Sequence, residues 1–204
     1  MSVRLLSSAL LGAALLFTAC EKREAFEMLQ PPATPAAALQ KYWALPDFTL
    51  TERSGQPLHL ADLAGKVWVA DFFYSSCPGP CPALTSNLGE VQKALGPAPD
   101  VRLVSISVDP EKDTTDVLKV YADRFKAGPG WFFCTGEKDA IYKLAHDGFK
   151  LPLAAGTPEG GPVTHTTRLI LVDQTGMVRG FYEGATKDGL SDLVRDIRKL
   201  LEEK

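Results

Sequence analysis

Val67–Tyr74 (VWVADFFY) is a near-continuous apolar run that leads directly into Ser75-Ser76-Cys77-Pro78-Gly79-Pro80-Cys81-Pro82. An apolar run of this length suits a strand covered on both faces. Pro80 steers Gly79 away from helical backbone. Pro80 and Pro82 themselves fit a helix only in its first turn, where a missing N–H costs little. Leu84, Leu88, Val91 and Leu95 then recur at helical spacing, and Gly96-Pro97 stops the helix. The segment is thereby committed to strand, turn and helix. Cys77 belongs in the turn and Cys81 at the helix start, so the two are not a mid-helix i,i+4 pair.

Strand and helix signals alternate through the remainder. Asp47–Leu50 is a short strand that Gln56–Leu60 can pair. Val101–Val108 is a second buried strand, and Trp131–Cys134 is a short extended piece. Val117, Leu118, Tyr121 and Phe125 mark a helix that Asp113 can cap. Ala140, Ile141, Leu144 and Ala145 share a face of the next helix, which Gly148 ends. Residues 151–164 are an irregular loop. Arg168–Val172 and Met177–Tyr182 form a hairpin about Asp173–Gly176, and Leu190 to Leu201 carry a final helix. This order gives an α/β fold, a mixed sheet with helices on both faces.

The N-terminus places the domain outside the cytoplasm. Arg4 precedes an apolar run, Leu5 to Ala19, that ends in Thr18-Ala19-Cys20. A basic start, a short apolar core and small residues before the break have the form of a secretory signal. Leu16–Cys20 resembles the lipobox of a bacterial lipoprotein, with cleavage before Cys20 and lipid on its thiol. Phe17 stands where Leu is more usual. Lys22 and Arg23 just past the run oppose an uncleaved N-in anchor. The expected organisation is a signal at 1–19, a Pro/Ala-rich tether at 20–44 and one domain at 45–204. The domain lies on the periplasmic side of the membrane, held by lipid or by an uncleaved signal. The net charge is −3 and no basic stripe occurs, which argues against nucleic acid as a partner.

Two thiols at a strand-to-helix turn can exchange disulfides or hold a soft metal. The partly positive helix N-terminus favours thiolate, the form that both chemistries need. For metal, thiolates select Cu(I) and imidazole also suits copper. His165 precedes the buried strand of the hairpin, and a loop there can bring it to the cysteines. A hydrogen-bonded structural histidine fits the same position. His59 and His146 have surface or capping roles by default. For redox, Asp71 lies inside an apolar strand six residues before Cys77. It resembles the buried acid of thioredoxins that assists proton transfer, although a strand-end or locally paired Asp reads the same in sequence. The three-residue spacing and the proline-rich loop depart from the usual redox pattern.

Four blocks in order carry a closer resemblance. They are Phe72–Pro82; Ser107–Thr114 (SVDPEKDT); Trp131–Gly136 (WFFCTG); and His165 leading to Leu171–Gly176 (LVDQTG). From about Leu45 onward the chain resembles the Sco (SenC) family, thioredoxin-fold copper proteins that help assemble the CuA centre of cytochrome c oxidase. The resemblance implies a thioredoxin-like fold, with Cys77, Cys81 and His165 as copper ligands. The implied cargo is Cu(I), and a Cu(II) state with the same ligands is compatible. The implied partners are the CuA domain of cytochrome c oxidase subunit II, a periplasmic thiol reductant and another copper carrier. Cys134 stands where the family usually has Leu, and Thr115 replaces a common Pro. Asp109 is a turn former before Pro110, with a place beside the metal or at a docking point as the alternative.

A second reading is a thiol–disulfide oxidoreductase that reduces the CuA-site cysteines or other periplasmic disulfides. It uses Cys77 and Cys81 as catalytic residues and has no need of His165. A third, peroxidase-like reading rests on Pro46-Asp47-Phe48 and Gly65-Lys66, but the cysteine after a Pro and Thr that peroxiredoxins use is absent.

Overall fold

A computed structural model describes residues 38–152 and 166–203. The described residues include seven strands in one mixed sheet, in the order β2-β1-β5-β4-β3-β6-β7. The centre is parallel: β3 (Val67–Phe73), β4 (Val101–Ser107) and β5 (Trp131–Thr135). β1 (Thr49–Glu52) pairs antiparallel with β5 and with β2 (Pro57–His59). On the other side, β6 (Arg168–Val172) runs antiparallel to β3 and to β7 (Val178–Glu183). The helices are α1 (Pro80–Leu95), α2 (Thr115–Arg124), α3 (Lys138–Lys143) and α4 (Lys187–Glu202). A 3-10 turn spans Leu60–Leu63, and a π-helical turn, Leu144–Gly148, continues α3.

All seven residues of β3 are buried. It has strands on both edges and helices on both faces, which is why its sequence does not alternate. Phe73 stacks on Tyr121 of α2 at 5.2 Å and meets Phe133 of β5 edge-on at 5.7 Å. Trp68 and Phe72 point the other way, as strand alternation requires. They meet Phe149, just past the π-helical turn, at 6.2 and 5.3 Å. The thioredoxin-like sheet with two covered faces is therefore the observed fold.

Element edges differ from the sequence reading by one or two residues. β1 begins at Thr49 rather than Asp47, because its ladder is set by His59 across the hairpin and by Thr135 of β5. The hairpin turn between β6 and β7 follows expectation. Asp173 Oδ1 accepts from the N–H groups of Thr175 and Met177, and Gly176 takes φ +80°. That left-handed backbone is the reason for glycine at this position.

Residues 39–44, assigned above to the tether, lie against this edge of the sheet. Tyr42 N–H donates to Val178 O, and Val178 N–H donates to Trp43 O, both at 2.9 Å. The buried Arg179 guanidinium donates to the carbonyls of Leu39 and Gln40 and to Asp173 and Glu203. Local composition cannot reveal this, since the anchoring cation lies 140 residues downstream.

One expectation is corrected. Asp113 does not cap α2. Thr114 is the N-cap, its hydroxyl accepting from Val117 N–H at 3.4 Å. Asp113 is fully buried and faces inward. Thr114 takes the cap because the Asp113 carboxylate has stronger donors within reach, at Ser75 and Ser107. Among the described residues no helix is long and apolar enough to cross a membrane. The 1–19 signal and Cys20 lie outside the described residues, as does most of the loop read at 151–164.

Candidate dithiol site

β3 and β4 run parallel with Phe73 opposite Ser107, so their C-terminal ends open together. In parallel α/β sheets this is the end where ligands and chemistry collect. Here it carries the turn after Phe73 and the loop after Ser107. A cavity of about 570 Å³ lies at the opposite end, near Leu95, Pro97, Arg102 and Trp131. Its lining has no thiol and no histidine.

Helix α1 begins at Pro80, with Gly79 as N-cap, so Cys81 occupies the second helical position and Cys77 the turn before it. This is the placement the two prolines dictated. Cys77 N–H donates to Tyr74 O at 3.2 Å, closing the turn. Both cysteines are buried, Cys77 at 6 % exposure and Cys81 at 0 %. None of the three described cysteines is in a disulfide.

The two sulfurs have opposite acid–base character. Burial is the largest single influence on Cys77 and works against its thiolate, while the N–H groups of Cys81 and Gly79 work for it. The Cys81 thiol and the Tyr74 hydroxyl add to them, and the Cys77 pKa falls below its ordinary value. Burial pushes the Cys81 thiol up to about 12, with the adjacent Cys77 and the Asp71 charge working in the same direction. A backbone hydrogen bond from Tyr74 offsets part of this. The helix N-terminus was expected to favour thiolate in general. Its effect falls on Cys77, where the N–H groups converge, while Cys81 is governed by burial. Tyr74 serves both sulfurs, and its own hydroxyl is pushed up to about 12 by burial and by its bond to Cys77.

Asp71 is buried at 1 % exposure, on the face of β3 that α1 and α2 cover. Burial raises its pKa to about 7, and the hydrogen bond from Ser105 offsets part of the effect. Its Oδ2 has no hydrogen-bond partner among the described residues. The strand-end alternative for Asp71 is thereby excluded. Under Cys81, Thr85 Oγ1 donates to the Cys81 carbonyl at 2.9 Å and lies 3.1 Å from the Tyr121 hydroxyl.

The other sequence candidates are placed elsewhere. Cys134 is fully buried on β5 beside Phe133 and projects to the opposite face of the sheet. Burial raises its thiol pKa far above the usual range. His59 is exposed at the end of β2, near Thr49 Oγ1. His146 is exposed and pairs with Asp147 at 2.8 Å. Asp109 forms the turn before Pro110: its carbonyl accepts from Lys112 and Asp113, and its carboxylate pairs with Lys112 at 3.1 Å. Among the described residues, no three His, Cys, Asp or Glu side chains gather as a metal cluster. His165 lies outside the described residues.

Sequence reasoning gave Ser75, Ser107, Tyr74 and Tyr121 no role in the site. The signal available for the serines was the spacing of Ser107-x-Asp109-Pro110-x-x-Asp113, a turn that returns a carboxylate to the strand end it left.

Fold and site together define a thioredoxin-fold protein with a buried, asymmetric dithiol at a strand-to-helix turn. The chain belongs to the SCO1/SenC family, whose family model matches residues 36–202. A SCO1/SenC family lipoprotein from Bacillus anthracis str. Ames is 37 % identical, covering 78 % of this chain and 96 % of that one with a TM-score of 0.72. BsSco is described as a member of the Sco family of cytochrome c oxidase assembly proteins. It is 32 % identical, with 81 % and 97 % coverage and a TM-score of 0.71. Copper-bound ScoI of Bradyrhizobium japonicum is 26 % identical, with 78 % and 99 % coverage and a TM-score of 0.67.

Proposed function

We propose that this protein is an extracytoplasmic copper chaperone that delivers copper to, or prepares, the CuA site of cytochrome c oxidase. The observation that carries the reading is the pair of buried thiols, Cys77 and Cys81, side by side without a disulfide. Two soft thiolates suit Cu(I), and His165 is proposed as the third ligand. The copper-bound relative and the oxidase-assembly relative support the cargo and the destination. Copper is the cargo here, and it would leave by ligand exchange to cysteines and histidines of the acceptor. The thiols must be reduced before loading, which calls for a periplasmic thiol reductant. The lipoprotein relative supports lipidation at Cys20 and residence at the membrane.

The lowered pKa of Cys77 beside the raised pKa of Cys81 favours a second reading. A thiolate that attacks next to a thiol that resolves is the arrangement a disulfide reductase needs. One comparison separates the two. Cu(I) is titrated into the reduced full-length chain against a competing chelator, with Cys77→Ser, Cys81→Ser and His165→Ala in parallel. One tight copper per chain, weakened by orders of magnitude in each variant, is the expected result. Weak binding indifferent to His165 would leave the dithiol to electron transfer alone. His165→Ala is expected to keep its disulfide-reducing activity.

A further inference from the structure

The Asp113 carboxylate is completely buried and satisfied on both oxygens, with no cationic partner among the described residues. Oδ2 accepts from Ser75 N–H at 3.0 Å and from the Ser107 hydroxyl at 2.5 Å, and Oδ1 accepts from the Ser75 hydroxyl. Its own N–H donates to Asp109 O at 2.9 Å. Ser107 Oγ accepts in turn from Asp109 N–H at 3.1 Å. One side chain thus ties together the end of β4, the loop that follows it and the turn that carries Cys77.

A buried carboxylate is costly, and it persists where well-placed donors hold it in one geometry. Those donors include both polar groups of Ser75, two residues before Cys77. The turn from Tyr74 to Cys77 is closed by its own hydrogen bond, so fixing Ser75 fixes Cys77. Cys81 is fixed independently by helix α1, through Pro80 and the Thr85 bond to its carbonyl. The two sulfurs therefore stand on two separately anchored supports.

We infer that Asp113 is a positioning residue for the dithiol: through Ser75 it holds Cys77 at a fixed separation from Cys81, in the open dithiol state. Released from Asp113, the turn is free to carry Cys77 onto Cys81, so the disulfide closes more readily and the metal-ready spacing is lost. The inference rests on the reading of Cys77 and Cys81 as the working pair.

The test compares Asp113→Asn, Ser75→Ala and the unmodified full-length chain. Asn keeps the size of the side chain but sets an N–H₂ group against donors. Ser75→Ala removes one donor and leaves the main-chain bond. The first readout is the dithiol–disulfide equilibrium in metal-free glutathione buffers, and the second is Cu(I) affinity. Asp113→Asn is expected to move the equilibrium about tenfold toward the disulfide, or about 30 mV for a two-electron couple. It is also expected to weaken Cu(I) binding about tenfold, with Ser75→Ala moving both in the same direction by less. A purely structural role would lower the melting temperature and leave the potential of the folded chain unchanged. A folded Asp113→Asn chain with the unmodified potential overturns the inference. If that variant does not fold, an unmodified potential in Ser75→Ala overturns it. The metal-free readout is independent of copper, so a chain that binds none would refute the chaperone reading and leave this test intact.

Discussion

The Ser105 hydroxyl donates a 2.6 Å hydrogen bond to Asp71 Oδ1 in the core of the sheet, while Asp71 Oδ2 has no hydrogen-bond partner among the described residues. Trp131 Nε1 donates to the same Ser105 oxygen at 2.9 Å. The three residues form a chain across β3, β4 and β5 that ends in a half-satisfied acid. Such an acid is cheaper to bury protonated than charged.

Asp71 should therefore make stability fall as pH rises. Its folded pKa, about 7, lies above the ordinary 3.8. The folded chain binds the extra proton between those values, so its stabilising effect is full below about pH 4 and is lost as pH rises through 7. The shift corresponds to about 4 kcal/mol. Asp71→Asn keeps an acceptor for Ser105 and carries no charge. Denaturant unfolding at pH 5 and pH 8 should show the native chain losing stability relative to Asp71→Asn as pH rises. Parallel curves would refute the assignment.

Cys77 should be the faster thiol to alkylate. Converging N–H groups lower its pKa, while burial holds Cys81 near 12. Brief iodoacetamide treatment of the reduced chain at pH 7, followed by peptide mapping, should find label at Cys77 first. Equal labelling would mean that the asymmetry does not operate in solution.

Cys134→Ser should cost stability but no copper. The thiol is fully buried on the sheet face away from α1. A hydroxyl left there without a partner costs about 1–3 kcal/mol. Urea unfolding should register that loss, while copper stoichiometry stays as in the unmodified chain. A reduced copper count would place Cys134 in the site.

Arg179→Ala should be among the more damaging substitutions far from the dithiol. It strips Asp173 and Glu203 of their cation and the Leu39 and Gln40 carbonyls of their donor. Breaking a buried pair on one side costs about 3–5 kcal/mol. Burial opposes the Asp173 carboxylate, but bonds from Thr175 and Arg179 prevail and depress its pKa. That contribution is present above the ordinary carboxylate range and is lost as pH falls through the folded value. Limited proteolysis should cut the variant between residues 39 and 44 sooner than the unmodified chain. Identical cleavage rates would show that Arg179 does not hold this segment.

Lipidation at Cys20 is checked by globomycin, which blocks lipoprotein signal cleavage. Its presence should leave the precursor uncleaved, and normal processing would rule out the lipobox reading.

Much of the fold was legible because its signals are local. The apolar run Val67–Tyr74 announced a strand buried on both faces, observed over Val67–Phe73, and Pro80 and Pro82 dictated where α1 starts and hence where each cysteine sits. The hairpin about Gly176 followed from turn chemistry. The closeness of the two thiols was likewise readable, since only three residues of sequence separate them. Asp113 was misread as a cap because an Asp before a helix looks the same in sequence whichever way its side chain turns. Its inward orientation depends on Ser75, 38 residues earlier, and on where β4 ends beside β3. Asp71 was ambiguous for a related reason, and only the packing of β4 and the helices over it raised its pKa. Spacing and backbone chemistry thus determined the chain's elements and the place of its dithiol. The tertiary structure decided which thiol is acidic and which carboxylates are buried, because solvent exclusion and converging donors arise only when distant segments pack together.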